Sequence, residues 1–183
     1  MNILKDVRPL DYVLTAVMVA LAILIGLENL AVAAAGGTVT GLEHPVESDS
    51  VLMIPVFVLA ALPILWRRRS ILAAIGISFV VVAASLPAFG WVTRCGFALP
   101  LSIAMAYAVA RFAGSKQNHV VGLVGILALQ IATLVLDSST GGLSALGISV
   151  PAAALCYAIG LFVQSRAQKT AQQPTLSVEQ VHA

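Results

Sequence analysis

The segment VLMIPVFVLAALPILWRRRSILAAIGISFVVVAASLP, residues 51–87, decides the fold. Two apolar runs, Val51 to Leu65 and Ile71 to Leu86, are separated by Trp66, three consecutive arginines and Ser70. Ser70 is a good helix N-cap, and Pro87 stops the second run before a turn. The first run covers only about 22 Å at 1.5 Å per residue, so it needs its flanks to reach across a bilayer. The pattern predicts two antiparallel helices with a tight, strongly cationic turn.

Working outward, four more apolar runs appear. One starts at Asp11 after Arg8 and ends at Gly36 and Gly37, which favour leaving a helix. Others extend from Cys95 to Phe112, from Val120 to Leu136 and from Leu143 to Phe162. Prolines 55, 100 and 151 fall inside runs, where a membrane helix tolerates them as kinks. With 60% of its 183 residues hydrophobic and 10% charged, and a mean hydropathy of +0.99, the chain has more apolar surface than one soluble core can bury. The expected fold is all-α: a polytopic membrane bundle of six transmembrane helices at about 11–35, 50–66, 70–87, 95–112, 119–137 and 143–163. Residues 1–10 are then a cytoplasmic N-terminus, 11–165 the membrane domain, and 166–183 a polar, mostly disordered cytoplasmic tail.

Orientation follows from the cations. Alternating the spans places Lys5, Arg8, Arg67, Arg68, Arg69, Arg111, Lys116, Arg166 and Lys169 on one side and only Arg94 on the other. The cation-rich side belongs in the cytoplasm, so both ends of the chain are inside. Ala31-Val32-Ala33 resembles a signal-peptide cleavage site, but the run is longer than an ordinary signal segment and Glu28 and Asn29 precede the site, so the first helix is expected to be retained.

Chemistry-bearing residues are sparse. No nucleophile elbow, phosphate loop, metalloprotease helix or catalytic carboxylate pair occurs, and neither His119 nor His182 has neighbours that would make it catalytic. No enzyme, cofactor, metal centre or nucleic-acid partner is expected. Cys95 and Cys156 read as small buried hydrophobes. Glu28, Arg94 and Asp137 all fall near the outer helix ends, where each can reach water independently or the three can form a polar cluster. The first outer loop, Glu43-His44-Pro45-Val46-Glu47-Ser48-Asp49, holds three carboxylates and an imidazole and is expected to be a solvated acidic loop. Trp66, Arg67, Arg68 and Arg69 sit at the cytoplasmic interface, where they anchor the hairpin by the positive-inside rule and can also contact anionic lipid headgroups. Small residues four apart, such as Ala104 and Ala108 or Cys156 and Gly160, allow close helix packing and a homodimer.

Leu62-Pro63-Ile64-Leu65-Trp66-Arg67-Arg68-Arg69, together with Pro9-Leu10-Asp11 and Tyr107 to Arg111, resembles the N-terminal membrane domain of bacterial two-component sensor histidine kinases over roughly residues 8–165. That resemblance implies a sensor-like module of the bacterial inner membrane, engaged in signal transduction. The family's kinase region, with its phosphoacceptor histidine, has no counterpart here, so the resemblance implies action through a cytoplasmic or membrane signalling partner. A small transporter or transporter subunit, with Gln130, Thr133, Ser102 and Tyr107 along a polar path, and a structural or lipid-organising protein are the alternatives.

Overall fold

The computed structural model describes residues 8–139 and 141–179, so Lys5 and His182 lie outside the described residues. Six α-helices and no strand occur among the described residues: α1 (Pro9–Ala34), α2 (Met53–Ala61), α3 (Ile71–Phe89), α4 (Cys95–Phe112), α5 (Lys116–Val135) and α6 (Leu146–Glu179). Five of the helical segments are long and apolar enough to cross a membrane. The exception is α2, nine residues long, which tightens into a five-residue 3-10 turn, Leu62–Trp66. Pro63 sits in that turn and supplies no backbone N–H. Together the two pieces reach about 24 Å, short of a hydrocarbon core of about 30 Å.

Helix ends follow local chemistry. Pro9 opens α1, where its missing N–H costs nothing, and the Asp11 carboxylate accepts a 2.9 Å bond from the Arg8 N–H. Ser70 caps α3 by accepting from Ala73 N–H, and Ser115 caps α5 by accepting from Asn118 N–H. Two boundaries differ from expectation. Pro87 does not end α3, because Leu86 still accepts the Gly90 N–H and the left-handed Gly90, at φ +61°, makes the stop. Residues 166–179, expected to be mostly disordered, continue α6: Arg, Ala, Gln and Lys extend a helix already nucleated in the apolar segment at little cost.

The middle of the bundle is α4. Phe97, Ala98, Leu101, Met105, Ala106, Ala108 and Val109 are buried on several of its faces, because α1, α3, α5 and α6 all pack on it. Phe57 of α2 meets Phe97 with ring centroids 4.7 Å apart. Ser78 donates from α3 to the Ala60 carbonyl of α2, 2.7 Å away, which locks the cationic hairpin. α6 approaches most closely at Gly160, where a Cβ would stand 2.6 Å from Ala110 Cβ and 2.9 Å from the Tyr107 carbonyl oxygen. Only glycine lets these backbones come so near. The rest of α6 turns Ile148, Leu155 and Phe162 outward, as suits an apolar solvent.

Candidate functional site

Polar side chains collect at the two ends of the bundle. At the arginine-rich end, Asp11 is enclosed and receives Arg67 through Nε and Nη2, at 2.9 and 2.6 Å, on one carboxylate oxygen. Its other oxygen receives Arg68 Nε at 2.6 Å. The carboxylate therefore ties the start of α1 to the turn between α2 and α3. Arg68 also lies over the Phe112 ring, 4.9 Å from its centroid, at the end of α4.

This arrangement divides the residues expected to contact lipid. Arg67 and Arg68 are committed to Asp11, while Arg69 is exposed and, with Trp66, Pro63, Ser70, Ala73, Ala74 and Ile77, lines an apolar groove of ≈ 280 Å³. Trp66 Nε1 is buried without an internal acceptor. A groove with an apolar wall and one free cation suits an acyl chain below an anionic headgroup. Arg69→Gln is therefore expected to lower retention of anionic lipid by the purified protein several-fold without changing its melting temperature, as measured by mass spectrometry of co-purified lipid and by thermal unfolding. Unchanged retention would return Arg69 to the role of a topological anchor.

At the opposite, acidic end the organising residue is Arg94, fully buried just before α4. Its guanidinium donates to Ser85 Oγ (3.0 Å) and to the carbonyls of Ser85 (3.0 Å), Gly90 (2.9 Å), Leu136 (2.7 Å) and Val92 (3.4 Å). Those carbonyls include the C-terminal ends of α3 and α5, where the helix dipoles favour a cation. Asp137 does the reverse at the start of α4: its Oδ2 accepts from the Arg94 and Cys95 N–H groups at 2.6 and 2.7 Å. Burial pushes the Arg94 guanidinium down, to about 10, against the opposing pull of Asp137, and it stays a cation at neutral pH.

Of the three residues expected to cluster here, the structure brings Arg94 and Asp137 together and leaves Glu28 exposed on α1. Its neighbour Asn29 takes the place inside. Asn29 Nδ2 donates to the Thr93 carbonyl at 2.9 Å, and its Oδ1 accepts from Thr93 N–H at 2.8 Å. An amide can satisfy both backbone groups of Thr93, which a carboxylate cannot. The signal was present in the sequence as an uncharged polar residue on the inward face of α1, one position from the more conspicuous Glu28.

The first loop at this end keeps Glu43, Glu47 and Asp49 exposed, while its backbone is tied to the neighbouring loops. Glu43 N–H donates to the Ser138 carbonyl, Glu47 N–H donates to the Trp91 carbonyl, and Trp91 N–H donates to the Glu47 carboxylate at 3.0 Å. His44 stacks on Trp91 with centroids 3.8 Å apart. Backbone groups left open in three loops are satisfied by one another, and this crosslinks the loops. Between them lies a cavity of ≈ 490 Å³ lined by Glu43, His44, Trp91, Asp137, Leu134 and the turn Gly141–Ser144. No group of three or more acidic, histidine or cysteine side chains with metal-binding geometry occurs among the described residues.

Inside the bundle, Gln130 donates to Ser102 Oγ (3.1 Å) and to the Ser149 carbonyl (3.3 Å), and Thr133 donates to its own helix at Leu129. Gln130 thus joins α5 to α4 and α6, whereas Ser102 and Thr133 donate within their own helices. His119 Nδ1 and the Tyr157 hydroxyl are 2.8 Å apart and join α5 to α6. Cys95 and Cys156 are free thiols. The chain matches no family model, no curated protein and no solved structure.

Proposed function

We propose that this chain is a multi-pass protein of the bacterial cell membrane with six spans and both ends in the cytoplasm, serving as a non-catalytic sensor-type module that acts through a partner. The short α2 and its 3-10 turn make the sixth span, with the Trp66–Arg69 flank completing its reach. The arginine-rich end, with Arg8, Arg67, Arg68, Arg69, Arg111 and Lys116, is cytoplasmic, and the acidic end faces outward.

One observation carries the sensor reading. The turn that leads into α6 lines the cavity at the acidic end, and α6 then runs unbroken for 34 residues, past Arg166 and Lys169 at the other end. At 1.5 Å per residue it is about 51 Å long, enough to cross the bilayer and project beyond it. A continuous helix that starts beside an outer cavity and ends in the cytoplasm is a physical route for a signal, and its close packing on α4, tightest at Gly160, would pass a shift of one helix to the other.

A fluorescent protein fused to the carboxyl end, of a kind that matures only in the cytoplasm, tests both parts. Bright cells, and co-purification from membranes of a chain carrying a kinase or other signalling domain, are the expected results. Dark cells would reverse the topology. Bright cells from which the chain is recovered alone in every mild detergent would remove the signalling role and leave the topology standing.

A further inference from the structure

The cavity at the acidic end has a chemistry that selects for a class of ligand. Its wall carries Trp91 and His44, stacked on each other, and the carboxylate of the exposed Glu43. The cavity is also lined by Leu134 and Val135 of α5, by the turn Gly141–Ser144 and by Asp137, whose carboxylate is buried and accepts the Arg94, Cys95 and Ser139 N–H groups. A volume of ≈ 490 Å³ lies in the range of small-molecule sites. The anchoring loops are pinned by the Glu47–Trp91 bonds and by the Glu43–Ser138 bond, so the site is formed before any ligand arrives.

Charge settles the sign of the ligand. The described residues at this end include the carboxylates Glu28, Glu43, Glu47, Asp49 and Asp137 against the guanidinium of Arg94 and the imidazole of His44. Arg94 is enclosed, with its donors spent on five acceptors and the Asp137 carboxylate close by, so little of its charge reaches the cavity. Aromatic rings beside carboxylates attract an organic cation: the carboxylate supplies Coulomb attraction, and the ring face supplies the cation–π contribution that a water-filled acidic loop lacks.

We infer that this cavity binds a small organic cation, an alkyl- or quaternary ammonium compound, with Glu43 as the counter-charge and Trp91 as the aromatic wall. The assignment deepens the sensor reading by naming the class of stimulus, and it rests on that reading for the statement that the ligand arrives from outside.

The test uses the full chain in lipid nanodiscs, in a Trp66→Phe background that leaves Trp91 as the only tryptophan. Trp66 Nε1 has no internal partner to lose, so this background is expected to fold normally. At constant ionic strength, choline is expected to change Trp91 fluorescence in a saturable manner, whereas 3,3-dimethylbutan-1-ol, its neutral isostere, is expected to give no change. Glu43→Gln is expected to weaken choline binding roughly five- to tenfold, since its backbone bond to Ser138 survives. A non-saturable response, equal responses to choline and the neutral isostere, or full affinity in Glu43→Gln would each overturn the assignment. Nanodiscs expose both faces, so the result is independent of orientation: absent binding leaves the topology intact, and a reversed topology leaves the binding result intact.

Discussion

Arg94→Ala is expected to destabilise the folded bundle by about 3–5 kcal/mol, the range for losing one member of a buried charged network. The guanidinium holds the Ser85 hydroxyl and carbonyl away from water and the partly buried carbonyls of Gly90 and Leu136 at the ends of α3 and α5. Alanine would strand these acceptors and leave Asp137 without its neighbouring cation, and each orphaned buried acceptor carries a desolvation penalty of about 1–3 kcal/mol. Arg94→Lys keeps the charge but has three donors on a point-like head, so it reaches fewer of the five acceptors and is expected to recover less than half of the loss. Thermal unfolding followed by circular dichroism in a mild detergent measures both. An alanine variant within about 1 kcal/mol of the parent would mean that the loops at the acidic end hold together without their central cation.

The second large effect is expected at Asp11. Asp11→Asn keeps the shape of the side chain and removes the charge that holds Arg67 and Arg68 together. Two cations would then face each other across a neutral amide. The expected cost is about 2–3 kcal/mol, below the figure for a fully enclosed pair because the arginine side chains remain 11% and 22% exposed and can turn toward water. A double-mutant cycle separates the ion pair from general packing. Asp11→Asn combined with Arg67→Gln is expected to cost less than the sum of the two single changes, by at least about 0.5 kcal/mol, because the second change removes a cation the first left unpaired. Strict additivity would show that Asp11 and Arg67 contribute to stability independently. Limited proteolysis of the same variants reports whether α1 has separated from the hairpin, through faster cleavage near Arg8.

The two clusters illustrate different degrees of legibility. Arg94 and Asp137 stood out because each is a lone charge at the end of a long apolar run, and such a charge is visible without any structure. Their mutual arrangement was not, since Asp137 bonds the backbone at the start of α4 while the Arg94 guanidinium reaches back to α3 and α5. Asp11 was visible only as the first residue of a span. Its partners lie 56 and 57 positions away, and nothing local distinguishes them from the exposed Arg69. The acidic loop was expected in solvent because composition alone describes it well. Its stacking of His44 on Trp91 depends on two loops meeting across the end of the bundle.

By itself the sequence determined that the chain is helical and strongly apolar, roughly where the apolar runs fall, and that its cations cluster in a few short segments between them. Those properties are legible because hydropathy, capping and charge bias act over one helix or one turn at a time. Tertiary structure alone decided that α2 tightens into a 3-10 turn, that Asn29 rather than Glu28 enters the polar layer, and that three loops and the end of α5 line an open cavity. Each of these depends on which helix faces are brought together, and in an apolar solvent that choice rests on small-residue contacts and a handful of long-range hydrogen bonds that leave no periodic trace along the chain.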